Sequence, residues 1–443
     1  MLFRSTTFSK QENLLQIKLQ NTNNEIVKEQ QKTDNIDLIK INNLLKEQHQ
    51  TIVLLKSMRN KLVQNNTNDF DIQKLFKKLN NDNASLIEYF VGQNTIYSFE
   101  ISNKKIRINT IENSEINKNK IKQFIDYFAN SDMISNDISG YNKSGKTLFD
   151  LLKITKFKQK KLVIIPDGLL NFVPFEALIT EPKATTNFAK MNYLLNDYAI
   201  GYNNSASFYL DSKDLKNTNS VLGIFPVFEK SNLELTFSKD EMQAIKQNFE
   251  GNFFANNEAT FGNFKKNANN FSMLHLSTHA NAGDTEFPAS IKFVDQDILY
   301  SELYNLKINP DLVVLSACET GIGKLYQSEG AMSVARGFQF AGAKNLLFSL
   351  WKVNDYTTSE IMTNFYDNIK TGSSFIDANQ KAKQDFFNNK SISNTKKSPY
   401  YWSAFIYYGT LETPSNNYYV YFGISILAIV LGFLFYFRRR NGV

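Results

Sequence analysis

A single cysteine and a histidine 39 positions before it are the residues of this chain best suited to covalent chemistry. Cys318 lies in Leu315-Ser316-Ala317-Cys318-Glu319-Thr320-Gly321, directly after the apolar run Leu312 to Leu315, whose composition predicts a buried strand. His279 closes a similar run, Met273-Leu274-His275-Leu276-Ser277-Thr278-His279-Ala280. A strand tip holds a side chain rigidly yet exposes it, so two tips can present a thiol and an imidazole to one substrate. A thiol is only slightly ionised at neutral pH, and an adjacent imidazole raises its reactive fraction. The expected chemistry is attack by Cys318 on an acyl carbon with His279 as general base. The backbone N–H groups of Cys318 and Ala280 are best placed to hold the tetrahedral oxyanion. A lone cysteine is often an apolar filler, but the small residues around Cys318 leave the sulfur accessible and Gly321 permits a sharp exit.

His275 precedes His279 by four residues, a spacing that invites a metal reading. Leu276 stands where a zincin helix carries its carboxylate, so a core histidine is expected instead. One Cys and three His cannot build internal disulfides or a Cys-based zinc site. No metal and no cofactor is expected.

The elements that must position these residues follow from composition and period. At 443 residues, with 37 Phe and 21 Tyr, the chain has the length and apolar surface for two folded units plus extensions. No Gly occurs before Gly92 and no Pro before Pro166, so residues 1–83 are expected to form a helical arm. A period of two over Leu86 to Val91, Thr95 to Ile101 and Ile106 to Ile111 predicts a β-meander. The apolar run Leu162 to Ile165 predicts a further strand. A second alternation starts near Val221 and runs through a helix at Lys239 to Phe249, the His and Cys strands, a strand over Asn345 to Trp351, helices through Ile369 and Phe386, and Tyr401 to Tyr408. Apolar strands alternating with helices predict a largely parallel α/β sheet covered on both faces. The expected units are residues 84–215 and 216–412.

Residues 418–437, Tyr418 to Phe437, are uncharged and mostly apolar, and Arg438, Arg439 and Arg440 follow in a basic tail, residues 438–443. Twenty residues at about 1.5 Å each match the roughly 30 Å hydrocarbon core, so a single-pass transmembrane helix is expected. The positive-inside rule and the absence of a visible secretory signal point in opposite directions, and the side of the membrane stays open. The net charge of +7 is spread among acidic residues without a basic stripe, so nucleic acid is not an expected partner. Gly140-Tyr141-Asn142-Lys143-Ser144-Gly145-Lys146-Thr147 matches the phosphate-loop pattern. No core strand precedes it, and Ser144 is expected to cap the helix bearing Leu148, Leu151 and Leu152, which leaves nucleotide binding as a minor alternative.

Several blocks, taken in order, resemble the CHAT domain family, relatives of caspases and separase. They include Leu86-Ile87-Glu88-Tyr89-Phe90, Ile164-Ile165-Pro166-Asp167-Gly168, Pro174-Phe175-Glu176-Ala177-Leu178, Asn257-Glu258-Ala259-Thr260, the His and Cys runs, Ser349-Leu350-Trp351-Lys352-Val353-Asn354-Asp355 and Trp402-Ser403-Ala404-Phe405. The resemblance implies a caspase-like α/β sheet-and-helix sandwich of two tandem units, degenerate then catalytic, with His279 as base and Cys318 as nucleophile in a dyad. It also places a substrate loop after the Asn345 to Trp351 strand, where Trp351 could floor a pocket and Asp355 could attract a basic P1 side chain. Caspase-like enzymes often carry Gly after the dyad His, and here the residue is Ala280. The expected protein is a bacterial, membrane-tethered cysteine endopeptidase cutting protein or peptide substrates, regulated by an activating protein partner through the N-terminal helices. The alternative is a non-catalytic adaptor that binds a protein partner.

Overall fold

The computed structural model describes residues 70–210, 215, 220–281, 290–303, 306–316, 337–339 and 341–411, with scattered positions between 14 and 54. Those scattered positions are helical apart from Asp37. Helix α1, Ile72–Asn81, is capped by Asp71, whose carboxylate accepts from the N–H groups of Gln73 and Lys74. It leads into the expected meander: β1 Ala84–Val91, β2 Thr95–Ser102 and β3 Lys105–Glu112. Helices α2, Glu115–Asp126, and α3, Ile138–Leu151, precede β4, Lys161–Ile165, and β5, Ala199–Tyr202.

The second alternation comprises β6 Ser220–Phe225, α4 Ser238–Asn248, β7 Glu250–Ala255, β8 Met273–Leu276, β9 Leu312–Leu315, β10 Leu346–Ser349, α5 Asp355–Lys370, α6 Phe375–Asn388 and β11 Phe405–Tyr408. All eleven strands share one sheet in the order β3-β2-β1-β4-β5-β11-β10-β9-β8-β6-β7. The two alternations therefore meet edge to edge at the β5–β11 seam, where Tyr202 pairs with Tyr408. β11 is parallel to β5 but antiparallel to β10. Hence the parallel strands β4 and β5 run opposite to β6, β8, β9 and β10, and their C-terminal ends lie at the other rim. The central strands β4, β8, β9, β10 and β11 are buried almost throughout, as strands covered on both faces must be.

Two expectations need correction. The expected fold class included a C-terminal transmembrane helix, but no helix among the described residues is long and apolar enough to cross a membrane. The physical reason is plain in α5, which has 16 residues and carries Asp355, Glu360, Asp367 and Lys370, whereas a span needs about 20 residues of mostly apolar character. Tyr418 to Phe437 lies outside the described residues. Among the described residues the fold is a mixed α/β fold with a large central sheet and no membrane-spanning helix, so the expected membrane localisation and membrane contact have no helix there to rest on.

The second correction concerns Gly140 to Thr147. This stretch sits inside α3, not in a loop after a strand. Asp137, rather than Ser144, caps that helix by accepting from the Gly140 N–H at 2.8 Å. Lys146 pairs with Asp150 one turn on. A helix interior has its N–H groups committed to its own carbonyls and cannot cradle phosphates, so the pattern is accidental.

Candidate active site

The His and Cys strands are immediate neighbours. β8 and β9 pair in parallel, with Leu276 opposite Leu315. The ladder continues past both ends, since the Ser316 N–H donates to the Leu276 carbonyl at 3.1 Å and the Ser277 N–H to the Ile224 carbonyl at 3.0 Å. His279 lies three residues beyond Leu276, and Cys318 follows Leu315 by the same three. Cys318 itself is outside the described residues. Adjacent strands in a sheet lie about 4.8 Å apart, so the two tips leave the sheet side by side.

The His279 side chain is half-buried and held on two sides. Its Nε2 lies 2.8 Å from the Leu233 carbonyl oxygen, and its ring packs on Phe228 with centroids 5.5 Å apart and planes at 32°. A carbonyl only accepts, so Nε2 carries the hydrogen and the lone pair of the neutral ring resides on Nδ1.

Both groups come from the loop after β6. There the backbone turns through left-handed conformations at Val227 (φ 58°), Phe228 (φ 54°) and Lys230 (φ 59°). Such conformations are strained for residues with a Cβ, most of all for β-branched Val. The loop is closed by the Leu235 N–H donating to the Val227 carbonyl at 2.8 Å. Its far end is tied to α5, where the Asp355 carboxylate accepts from the Phe237 N–H at 2.7 Å.

Asn354 caps α5 by accepting from the Thr357 N–H, and Asp355 occupies the first turn. Burial pushes the Asp355 carboxyl above its ordinary value. The Phe237 N–H opposes that shift, the charges of Glu241 and Asp240 add to it, and that of His279 opposes it. Ala280 lies opposite Ile291 in a small separate sheet, in which the Lys292 N–H donates to the His279 carbonyl at 2.8 Å. Trp351 is buried: its ring packs on Phe128 at 4.9 Å and its Nε1–H donates to the Tyr400 carbonyl at 3.0 Å. The structure thus brings His279 and Asp355 to one rim, with Trp351 in the packed layer beneath the end of β10.

The CHAT domain profile matches residues 142–410, more than half of the chain. The chain belongs to the CHAT domain family. The match starts within α3 and ends just past β11, so the β1–β3 meander precedes the matched CHAT region. No curated protein matches the CHAT chain.

Among solved structures, the chain is similar to the Saccharomyces cerevisiae separase-securin complex, with 14% identity and a TM-score of 0.39, over 88% of this chain and 27% of the matched one. The CHAT chain thus spans about a quarter of the length of that relative. It is also similar to the Arg-specific cysteine proteinase gingipain R, with 10% identity and a TM-score of 0.39, over 67% of this chain and 75% of the other. The complex of Porphyromonas gingivalis RgpB pro- and mature domains matches at 11% identity and a TM-score of 0.37, over 67% and 76%.

Reasoning from sequence missed the residues that hold the strand tips from below. Glu241 of α4, with Ser277, Ser316, His275 and Tyr366, forms a buried polar cluster under the rim. The available signal was positional: Ser277 and Ser316 each stand two residues before a member of the expected dyad. Nothing in the α4 sequence, with Lys239, Asp240 and Glu241 in a row, distinguishes a buried acid from a solvated one.

Proposed function

We propose that this CHAT chain is a cysteine endopeptidase that cleaves protein substrates through a Cys318–His279 dyad. The observation that carries the reading is the Nε2–H bond from His279 to the Leu233 carbonyl, at the tip of the strand beside the one that leads into Cys318. That bond leaves Nδ1 as the basic nitrogen. In the forward step the Cys318 S–H proton passes to Nδ1, the sulfur bonds to the scissile carbonyl carbon, and the oxyanion is held by the N–H groups of Cys318 and Ala280. The imidazolium then protonates the leaving amine as the C–N bond breaks, leaving a thioester. Water, deprotonated by His279, attacks the thioester and releases the acid, and the proton returns to the sulfur. No metal or cofactor enters any step. An activating protein partner, engaged through the N-terminal helices, completes the proposal.

The test uses an electrophilic peptide probe on the full chain. The parent is expected to be labelled at Cys318, with labelling falling sharply in His279→Ala. Labelling indifferent to His279 would instead favour a non-catalytic adaptor.

Substrate selection belongs to the same proposal: Asp355 would meet the P1 side chain of a bound substrate, and the buried Trp351 would floor the space that side chain enters. A carboxylate half-buried beside His279 would draw a Lys or Arg at P1 toward the scissile position. Cleavage of a peptide library by the parent is expected to favour P1 Lys and Arg, and Asp355→Ala to lose that preference. An unchanged P1 profile in the variant refutes the charge role.

A further inference from the structure

Beneath the rim one carboxylate joins both strand tips. Glu241 Oε2 accepts from the Ser277 hydroxyl at 2.8 Å and from the Ser316 hydroxyl at 3.2 Å. Ser238 Oγ lies 2.9 Å from Ser277 Oγ and donates to it. Ser316 Oγ lies 3.3 Å from His275 Nε2, and His275 Nδ1 lies 2.9 Å from the Tyr366 hydroxyl. Every side chain in this set is buried, with His275 and Ser316 at 0% exposure and Glu241 at 2%.

The hydrogens can be assigned in one consistent direction. Burial, with the Glu241 charge adding to it, pushes the Tyr366 hydroxyl far above its ordinary value, so it stays a donor and gives its hydrogen to His275 Nδ1. His275 Nε2–H then donates to Ser316 Oγ, whose own hydrogen goes to Glu241 Oε2. The Ser238 hydroxyl donates to Ser277, which donates to the same oxygen. Two chains of hydrogen bonds, one from each tip, converge on one atom. The other oxygen, Oε1, lies 3.2 Å from His275 Nε2 without the alignment of a hydrogen bond. The titratable groups facing Glu241 are His275 from β8 and, from α5, Tyr366 and the like-charged Asp355.

We propose that Glu241 is a positioning residue that locks the tips of β8 and β9 in register, and so sets the height of His279 against Cys318 through Ser277 and Ser316. The proposal rests on the dyad reading above. Its physical basis is leverage: each serine is two residues from a dyad member, and an error of about 1 Å at reacting groups can cost about 100-fold in rate. Two hydroxyls sharing one buried acceptor cannot shift independently without stranding a polar group in the core.

The chain has one cysteine, so a thiol reagent reports on Cys318 alone. The experiment measures the rate of alkylation of the full chain by iodoacetamide from pH 5 to 10, with thermal unfolding confirming that each variant is folded at the assay temperature. The Ser277→Ala, Ser316→Ala double variant is expected to lower the rate at pH 7 about ten-fold and to move the profile up toward that of His279→Ala. Glu241→Met is expected to do the same, while Glu241→Gln, which keeps one oxygen able to accept both hydroxyls, stays close to the parent. A folded double-serine variant with the parent's profile overturns the positioning role, even if its melting temperature falls. Should Glu241→Met fail to fold, the serine variants decide. If His279→Ala itself leaves the profile unchanged, the dyad reading fails and takes this inference with it. If only the serine variants leave it unchanged, the dyad stands and the positioning role is lost.

Discussion

His279→Ala is expected to lower kcat/KM for cleavage of a peptide substrate about 1,000-fold, while lowering alkylation of Cys318 at pH 7 by no more than about 30-fold. The difference follows from what each reaction asks of the imidazole. Alkylation needs only the thiolate, and an unassisted thiol with an ordinary value near 8.5 is about 3% ionised at pH 7, which caps the loss at about 30-fold. Cleavage also needs a proton delivered to the leaving amine, and general acid–base catalysis contributes about 100- to 10,000-fold. Both roles depend on the orientation of the ring, which the Leu233 carbonyl at Nε2 and the Phe228 ring hold. Rates of peptide cleavage and of alkylation, measured on the same preparations, check the prediction. Equal losses in the two reactions would remove the general-acid role, and no loss in cleavage would remove His279 from the mechanism.

The parts of this fold that are legible in the sequence are those with a strong period or a long apolar run. The meander from Ala84 to Glu112, the β4 run ending at Ile165 and the β9 run Leu312–Leu315 are read from residue pattern to within a residue or two. β1, β2, β4 and β9 bury a face or a whole strand, whereas β3 keeps the alternating pattern with Ile106 and Ile108 exposed and Ile111 buried. β5 and β7 are not legible in this way. β5, Ala199–Tyr202, has only four residues and Gly201 interrupts them, so neither an alternation nor a continuous aliphatic run like that of β9 registers. β7 is one of the two edge strands, half exposed, and contains Gly251, where a Cβ would fall 1.8 Å from the Val221 carbonyl oxygen. That close approach explains the glycine only once β6 and β7 are seen side by side.

The site is legible to the same degree and for the same reason. His279 and the approach to Cys318 announce themselves at the ends of apolar runs. The groups that orient His279 do not. Leu233 acts through its backbone carbonyl, which no side-chain pattern encodes. Phe228 acts from a loop whose conformation is unusual for its residue types. Glu241 looks like one more charge on an amphipathic helix until α4 is packed against β6 and its carboxylate meets Ser277 and Ser316.

The largest effect on stability is expected from Lys383→Met, at about 3–5 kcal/mol of destabilisation in urea or thermal unfolding. Lys383 projects from α6 and Glu176 from the short turn Phe175–Ala177 ahead of β5, and their Nζ and Oε1 atoms meet at 3.0 Å with side-chain exposures of 0% and 1%. The Tyr202 hydroxyl donates to the second oxygen at 2.6 Å. Burial pushes the Lys383 ammonium below its ordinary value, and the charge and hydrogen bond of Glu176 oppose that shift. Removing the ammonium strands a carboxylate in the core with the tyrosine as its remaining partner here. A loss of that size is a large share of the roughly 5–15 kcal/mol that holds a typical domain folded. The cost belongs to the stranded charge rather than to the pair, so replacing both partners, Lys383→Met with Glu176→Leu, is expected to recover most of it. A single variant that loses less than about 1 kcal/mol would mean that water reaches Glu176. A double variant no more stable than the single would mean that the pair itself, and not relief from a stranded charge, fastens α6 to the first group of strands.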